Sequence, residues 1–122
     1  MEAFEEHRET LFRWALEVHG IEKSQRTVGL HASRGIIELL SAYLHRKKKV
    51  SDGFQLNHRW FKSENVLERL PDFENKSKVI GKMIELENLS ESLAYGSQKP
   101  KETIELALKM FRDLEKEIKR LG

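Results

Sequence analysis

The sequence predicts an all-α chain, an antiparallel up-and-down bundle of four long helices plus a short connector helix, in a single domain. Three observations predict it. Charged residues make up 34% of the 122 residues, and most are Glu, Lys and Arg, good helix formers that must lie outside a core. Seven glycines and two prolines leave few places to interrupt the chain, so its elements are long. Apolar residues recur every three or four positions, and nowhere in the strict alternation of a half-buried strand.

The first helix is expected over Glu2–His19, with Phe4, Leu11, Ala15 and Val18 at helical spacing and Gly20 as its stop. The second is expected over Lys23–Lys49. Its stripe of Val28, Ala32, Ile36, Leu39, Leu40 and Tyr43 is widened by Ile37 and Leu44, enough for two neighbouring helices to cover. Ser51-Asp52-Gly53 reads as a turn. Asn57–Leu70 is expected to form the short connector helix, ended by Pro71. The next helix spans Asn75–Tyr95, capped by Asn75 or Ser77, with Val79, Ile80, Met83, Ile84, Leu86, Leu89 and Leu93 toward the core and Gly96 as its stop. Pro100 suits the first turn of the last helix. There Ile104, Ala107, Phe111, Leu114, Ile118 and Leu121 step by three and four residues, a narrow seam of the coiled-coil kind.

Composition narrows the chemistry. With no cysteine, disulfides, thiolate metal sites and thiol nucleophiles are excluded. No apolar run approaches the roughly 20 residues that span a bilayer, so no membrane association is expected. The acidic, patterned start MEAFEEHRETLF is unlike a signal peptide, and the expected location is the cytoplasm. No phosphate-binding glycine loop, nucleophile elbow or paired metal-ligand motif occurs, so neither a cofactor nor a metal is expected and nothing compels an enzyme.

Three groups of residues are candidates for function. Between His45 and Lys62 the chain carries six cations (Arg46, Lys47, Lys48, Lys49, Arg59 and Lys62) against one anion, Asp52. Tyr43, Phe54, Trp60 and Phe61 are interleaved with them. Cations to neutralise phosphates beside rings that can stack make Arg46–Lys49, Arg59, Trp60 and Lys62 a candidate RNA surface, although cations also favour a helix C-terminus for its own sake. On the second helix His31, Arg34, Glu38 and His45 fall within a sector of about 60°. A histidine beside Arg and Glu can hold or move a proton, but an Arg34–Glu38 ion pair flanked by surface histidines explains the same pattern. Asn88, Glu91 and Tyr95 form a polar trio within about 60° of one another near the end of the helix before Gly96.

Two stretches, GLHASRGIIELLSAYLHRK (Gly29–Lys47) and IELENLSESLAYGSQKPKETIELALKMFRDLEKEIKRL (Ile84–Leu121), resemble the HEPN domain family of prokaryotic helical bundles. The first resembles that family's long second helix. The second resembles its motif-bearing helix running through a short turn into the final helix. The resemblance implies a homodimer. It also implies either a metal-independent ribonuclease, often a toxin, or a degenerate member that partners a small nucleotidyltransferase.

The family's catalytic signature is Arg-x4-6-His near the end of the motif-bearing helix. The resemblance puts its His position at Tyr95, and its Arg position at Ser90 or, at the longest spacing, Asn88; Glu91 lies between them. Both signature residues are absent there, and tyrosine is a poor proton acceptor at neutral pH. Arg26 and His31 match the spacing literally but at the wrong place, and their side chains point about 140° apart.

The resulting expectation is a HEPN-like binding or partner protein lacking the ribonuclease motif, partnering a nucleotidyltransferase or binding RNA. Two alternatives stand beside it. One is a ribonuclease using a non-standard set drawn from His31, Arg34, His58 and Arg59. The other is a structural dimerisation module.

Overall fold

In the computed structural model, which describes residues 2–13, 20–21 and 23–122, every regular element among those residues is helical. Four α-helices appear in order: α1 (Glu2–Glu9), α2 (Gln25–Arg46), α3 (Lys76–Tyr95) and α4 (Lys101–Arg120). No helix among the described residues is long and apolar enough to cross a membrane.

The wide apolar stripe of α2 does what its width requires. All of Val28, Ala32, Ile36, Ile37, Leu39, Leu40, Tyr43 and Leu44 are buried, and α2 packs against α1, α3 and α4 at once. Its pairings with α3 run from Gln25, whose Nε2 donates to the Leu93 carbonyl at 3.3 Å, to Ser33 against Glu87 at 2.7 Å. Phe4 of α1 stacks on Phe111 of α4 with ring centroids 5.8 Å apart, and Arg8 pairs with Glu115 at 2.9 Å. Lys82 of α3 reaches Glu117 of α4 at 2.7 Å. The expected seam of α4 is buried from Ile104 to Ile118, with Leu108 added, while Leu121 lies just past the helix and is half-buried. Ile84 and Leu89 of α3 are also only half-buried, packed at the margin of the core.

Several expectations need correction. The connector is not one helix but two 3-10 turns, His58–Lys62 and Glu64–Arg69, broken by extended backbone at Ser63. The carbonyls of Leu67 and Leu70 instead accept from Lys76 Nζ at 2.9 and 2.8 Å. Asn75 occupies the N-cap position of α3 but in a left-handed conformation, φ 60°, and its side chain makes no capping bond; Ser77 lies inside the helix. Pro100 sits one residue before α4 rather than in its first turn.

The α1 helix ends at Glu9 and passes into a wider π-type turn over residues 10–13; the expected core residues Ala15 and Val18 lie outside the described residues. The turn at Ser51-Asp52-Gly53 is present, closed by Phe54 N–H to the Ser51 carbonyl at 3.0 Å.

Candidate functional site

Small residues bring α2 and α3 together where the candidate site forms. A Cβ at Gly29 would lie 2.7 Å from the Ser90 carbonyl and closer still to the Ala94 backbone, so the two helices meet main chain to main chain. One turn further along α2, Ser33 Oγ donates to Glu87 Oε1 at 2.7 Å. The 3-10 turn His58–Lys62 closes the third side. Asn57 accepts from Arg59 N–H at 2.9 Å to start that turn, and the fully buried Phe61 anchors it. His58 Nδ1 then lies 3.3 Å from Glu87 Oε2.

Three segments therefore converge on one carboxylate that is only 5% exposed. Above it opens a small cleft of about 30 Å³, lined by Gly29, Leu30, Ser33, Arg34, His58, Glu87, Ser90, Glu91, Ala94 and Tyr95. Ser90 Oγ is buried in its wall with no hydrogen-bond partner in the protein. At the rim Glu91 pairs with Lys62 at 2.7 Å, and Tyr95 is 67% exposed. The ligand chemistry offered is an orphan hydroxyl, an imidazole oriented by a carboxylate, a guanidinium and an aromatic ring. Among the described residues no group of three or more His, Asp or Glu side chains is placed to hold a metal ion.

The residues expected from sequence are partly gathered here and partly scattered. Arg34, His58, Ser90, Glu91 and Tyr95 meet in the cleft. Asn88 is exposed and is not in its lining. His31 turns to α1, where its Nδ1 is 2.9 Å from His7 Nδ1. Burial first and the Arg34 charge second hold His7 below its ordinary value. Burial, then His7, then Arg34 do the same for His31. His45 Nε2 bonds to the Phe54 carbonyl at 2.9 Å, and no Arg34–Glu38 pair forms. The four-residue sector on α2 is thus divided among three surroundings.

The basic aromatic segment divides too. Arg46, Lys47, Lys48 and Lys49 end α2, whereas Arg59, Trp60 and Lys62 belong to the 3-10 turn beside the cleft. Tyr43 and Phe61 are core. Trp60 is half-buried against Phe54 and under Arg69, whose guanidinium carbon is 4.9 Å from the ring centre. Glu87 and Ser33 were not singled out from sequence. The available signal was a carboxylate on the buried stripe of α3, four residues after Met83 and seven after Ile80.

No protein-family model, curated protein or solved structure matches this chain.

Proposed function

We propose that the chain is a HEPN-like, antiparallel up-and-down bundle that works as a binding partner rather than a nuclease, with the α2–α3 cleft as its docking site. The observation that carries this reading is the charge of the cleft. The signature positions hold Ser90 and Tyr95 in place of Arg and His, and the two cations in and beside the cleft, Arg34 and Lys62, are offset by Glu87 and Glu91. A neutral site does not attract a phosphodiester, but an exposed tyrosine beside an arginine suits a protein interface, where those two residue types anchor contacts. A homodimer and a small nucleotidyltransferase are the partners implied by the family resemblance. The opposed pairings Gln25–Leu93 and Ser33–Glu87, with Arg8–Glu115 and Lys82–Glu117, support the up-and-down order.

The test is co-purification with a small nucleotidyltransferase encoded next to this chain, with light scattering for the dimer. Tyr95→Ala should weaken capture at least tenfold while leaving the melting temperature within a few degrees, as expected for an exposed anchor. Capture unaffected by Tyr95→Ala rejects the cleft as the docking site.

A second reading is favoured by one observation. His58 is oriented through Nδ1 by the buried Glu87, with Arg34 in the same cleft. Such a histidine can take a proton from a 2′-hydroxyl while the guanidinium meets developing phosphorane charge. RNA incubated in EDTA with wild type and His58→Ala separates the two: cleavage lost in the variant supports this ribonuclease, and no cleavage at high protein concentration ends it.

A further inference from the structure

We infer that the group which the α2–α3 cleft takes from its partner is the carboxylate of an acidic side chain, and this rests on the reading of that cleft as a docking site. The hydrogen-bonding groups of the cleft divide into those already used and those left open.

The acceptors are used. Glu87 Oε1 accepts from the Ser33 hydroxyl at 2.7 Å, and Oε2 faces His58 Nδ1 at 3.3 Å. Glu91 is paired with Lys62 at 2.7 Å. The donors are open. Arg34 is exposed and has no carboxylate partner among the described residues, Glu38 one turn later included. Ser90 is 3% exposed, and its buried hydroxyl has no partner in the protein. Tyr95, 67% exposed, carries an uncommitted hydroxyl at the rim.

A guanidinium only donates, and both hydroxyls are able to donate. The complement of the open groups is therefore an acceptor. It is a charged one, because a planar guanidinium pairs with a carboxylate through two parallel bonds that are stronger than neutral ones. A buried hydroxyl without a partner is also costly, and an incoming acceptor relieves that cost. Arg34 and Lys62 are offset by Glu87 and Glu91, so the contact is decided at hydrogen-bond range and not by a long-range field.

Size and chemistry exclude the other classes. The space is about 30 Å³, the share of one water molecule, so only the head of a single side chain enters. At Gly29 the main chains of α2 and α3 already meet, and no side-chain movement enlarges the floor. A phosphodiester or an aromatic ring is too large. A lysine head is small enough, but it brings three donors and no acceptor to a cleft whose two carboxylates are taken.

Titration of isotope-labelled protein with propionate, the head of a glutamate side chain, tests this by heteronuclear NMR at constant ionic strength. The Gly29 and Ser90 amides and Arg34 Nε should shift together, with a dissociation constant in the millimolar range. Propionamide, propylammonium and inorganic phosphate should each bind more weakly. R34Q should weaken propionate by about tenfold. S90A should weaken it several-fold while raising the melting temperature, since it removes an unpartnered buried hydroxyl. That opposite movement of affinity and stability is not produced by misfolding. Propylammonium or phosphate bound as tightly as propionate, or propionate binding unchanged in R34Q, overturns the inference. Capture of the nucleotidyltransferase separates it from the docking reading. If Y95A weakens capture and R34Q does not, the cleft docks a partner but not through an acidic side chain. Capture indifferent to Y95A is the failure of the docking reading; propionate binding that R34Q abolishes then keeps the carboxylate site, and no binding removes it as well.

Discussion

Substituting alanine for glycine has opposite expected effects on the two helices that form the cleft, and the contrast tests how they pack. In a helix interior the exchange gains about 0.8–1 kcal/mol from restricting the unfolded chain. Gly81 lies within α3, exposed, with nothing within 4 Å of a Cβ, so Gly81→Ala should realise nearly all of that gain. At Gly29 the same methyl would meet the Ser90 carbonyl at 2.7 Å and Ala94 Cα at 2.9 Å, both main-chain atoms of α3 that no rotamer change can move.

Restoring an ordinary contact of 3.4 Å needs α2 and α3 to separate by 0.5–0.7 Å at these two atoms and by more at the still closer Ala94 nitrogen, at an overpacking cost of about 2–3 kcal/mol. The propensity gain offsets a third to a half of it, leaving Gly29→Ala destabilised by roughly 1–2 kcal/mol. The two variants should therefore differ by roughly 2–3 kcal/mol in urea denaturation followed by circular dichroism at 222 nm, with equal m-values. In melting temperature the gap should be on the order of 10 °C. A Gly29→Ala protein as stable as wild type would refute the main-chain contact between α2 and α3, and with it the cleft floor.

Two further outcomes follow from α1. Because His7 and His31 titrate below the ordinary histidine value of 6.5 in the folded state, the unfolded chain binds more protons below that value. The contribution of the pair is complete above pH 6.5 and falls as the pH drops through the folded-state values. Urea midpoints measured between about pH 5 and 8 should decline toward acid, and less so in a His7→Gln, His31→Gln double variant; a wild-type midpoint that rises toward acid contradicts the pairing. Phe111 is fully buried between Phe4 and Phe12, at 5.8 and 5.7 Å, so Phe111→Ala should cost about 3–5 kcal/mol. A loss under about 1 kcal/mol would mean that α1 does not dock on α4.

The helices were legible because their information is local. The α2 stripe and the α4 seam are written at spacings of three and four, and burial follows them almost residue for residue. The segment 57–70 was not legible as two 3-10 turns. No proline or glycine breaks it: the backbone is extended at Ser63, and Lys76 satisfies the Leu67 and Leu70 carbonyls at the far end, a tertiary contact that periodicity does not encode. The site shows the same division. Arg34, His58, Ser90, Glu91 and Tyr95 could each be marked from type and position. What collects them is Glu87, whose partners stand 54 and 29 residues away. His31 went the other way, because a histidine 24 residues earlier competes for it.

Glu87 also bears on why the cleft exists at all. Burying a carboxylate costs several kcal/mol in desolvation, and two neighbours at 2.7 and 3.3 Å return only part of it. An apolar residue at this point of the α3 stripe, next to Leu86 and Met83, would pack α2 on α3 at no such cost. Ser90, one turn later, adds a buried hydroxyl with no partner. Two polar groups in succession on a core-facing stripe, both opening on one cleft, are a poor solution for stability alone. They are a reasonable one if the cleft must present fixed donors and acceptors to something outside the chain. The same logic applies at Lys48, where a left-handed turn keeps a charge that glycine would not supply. In both places the sequence departs from what the fold prefers: Glu87 and Ser90 bury polar groups in the wall of a cleft, and Lys48 sets a charge at an exposed helix end.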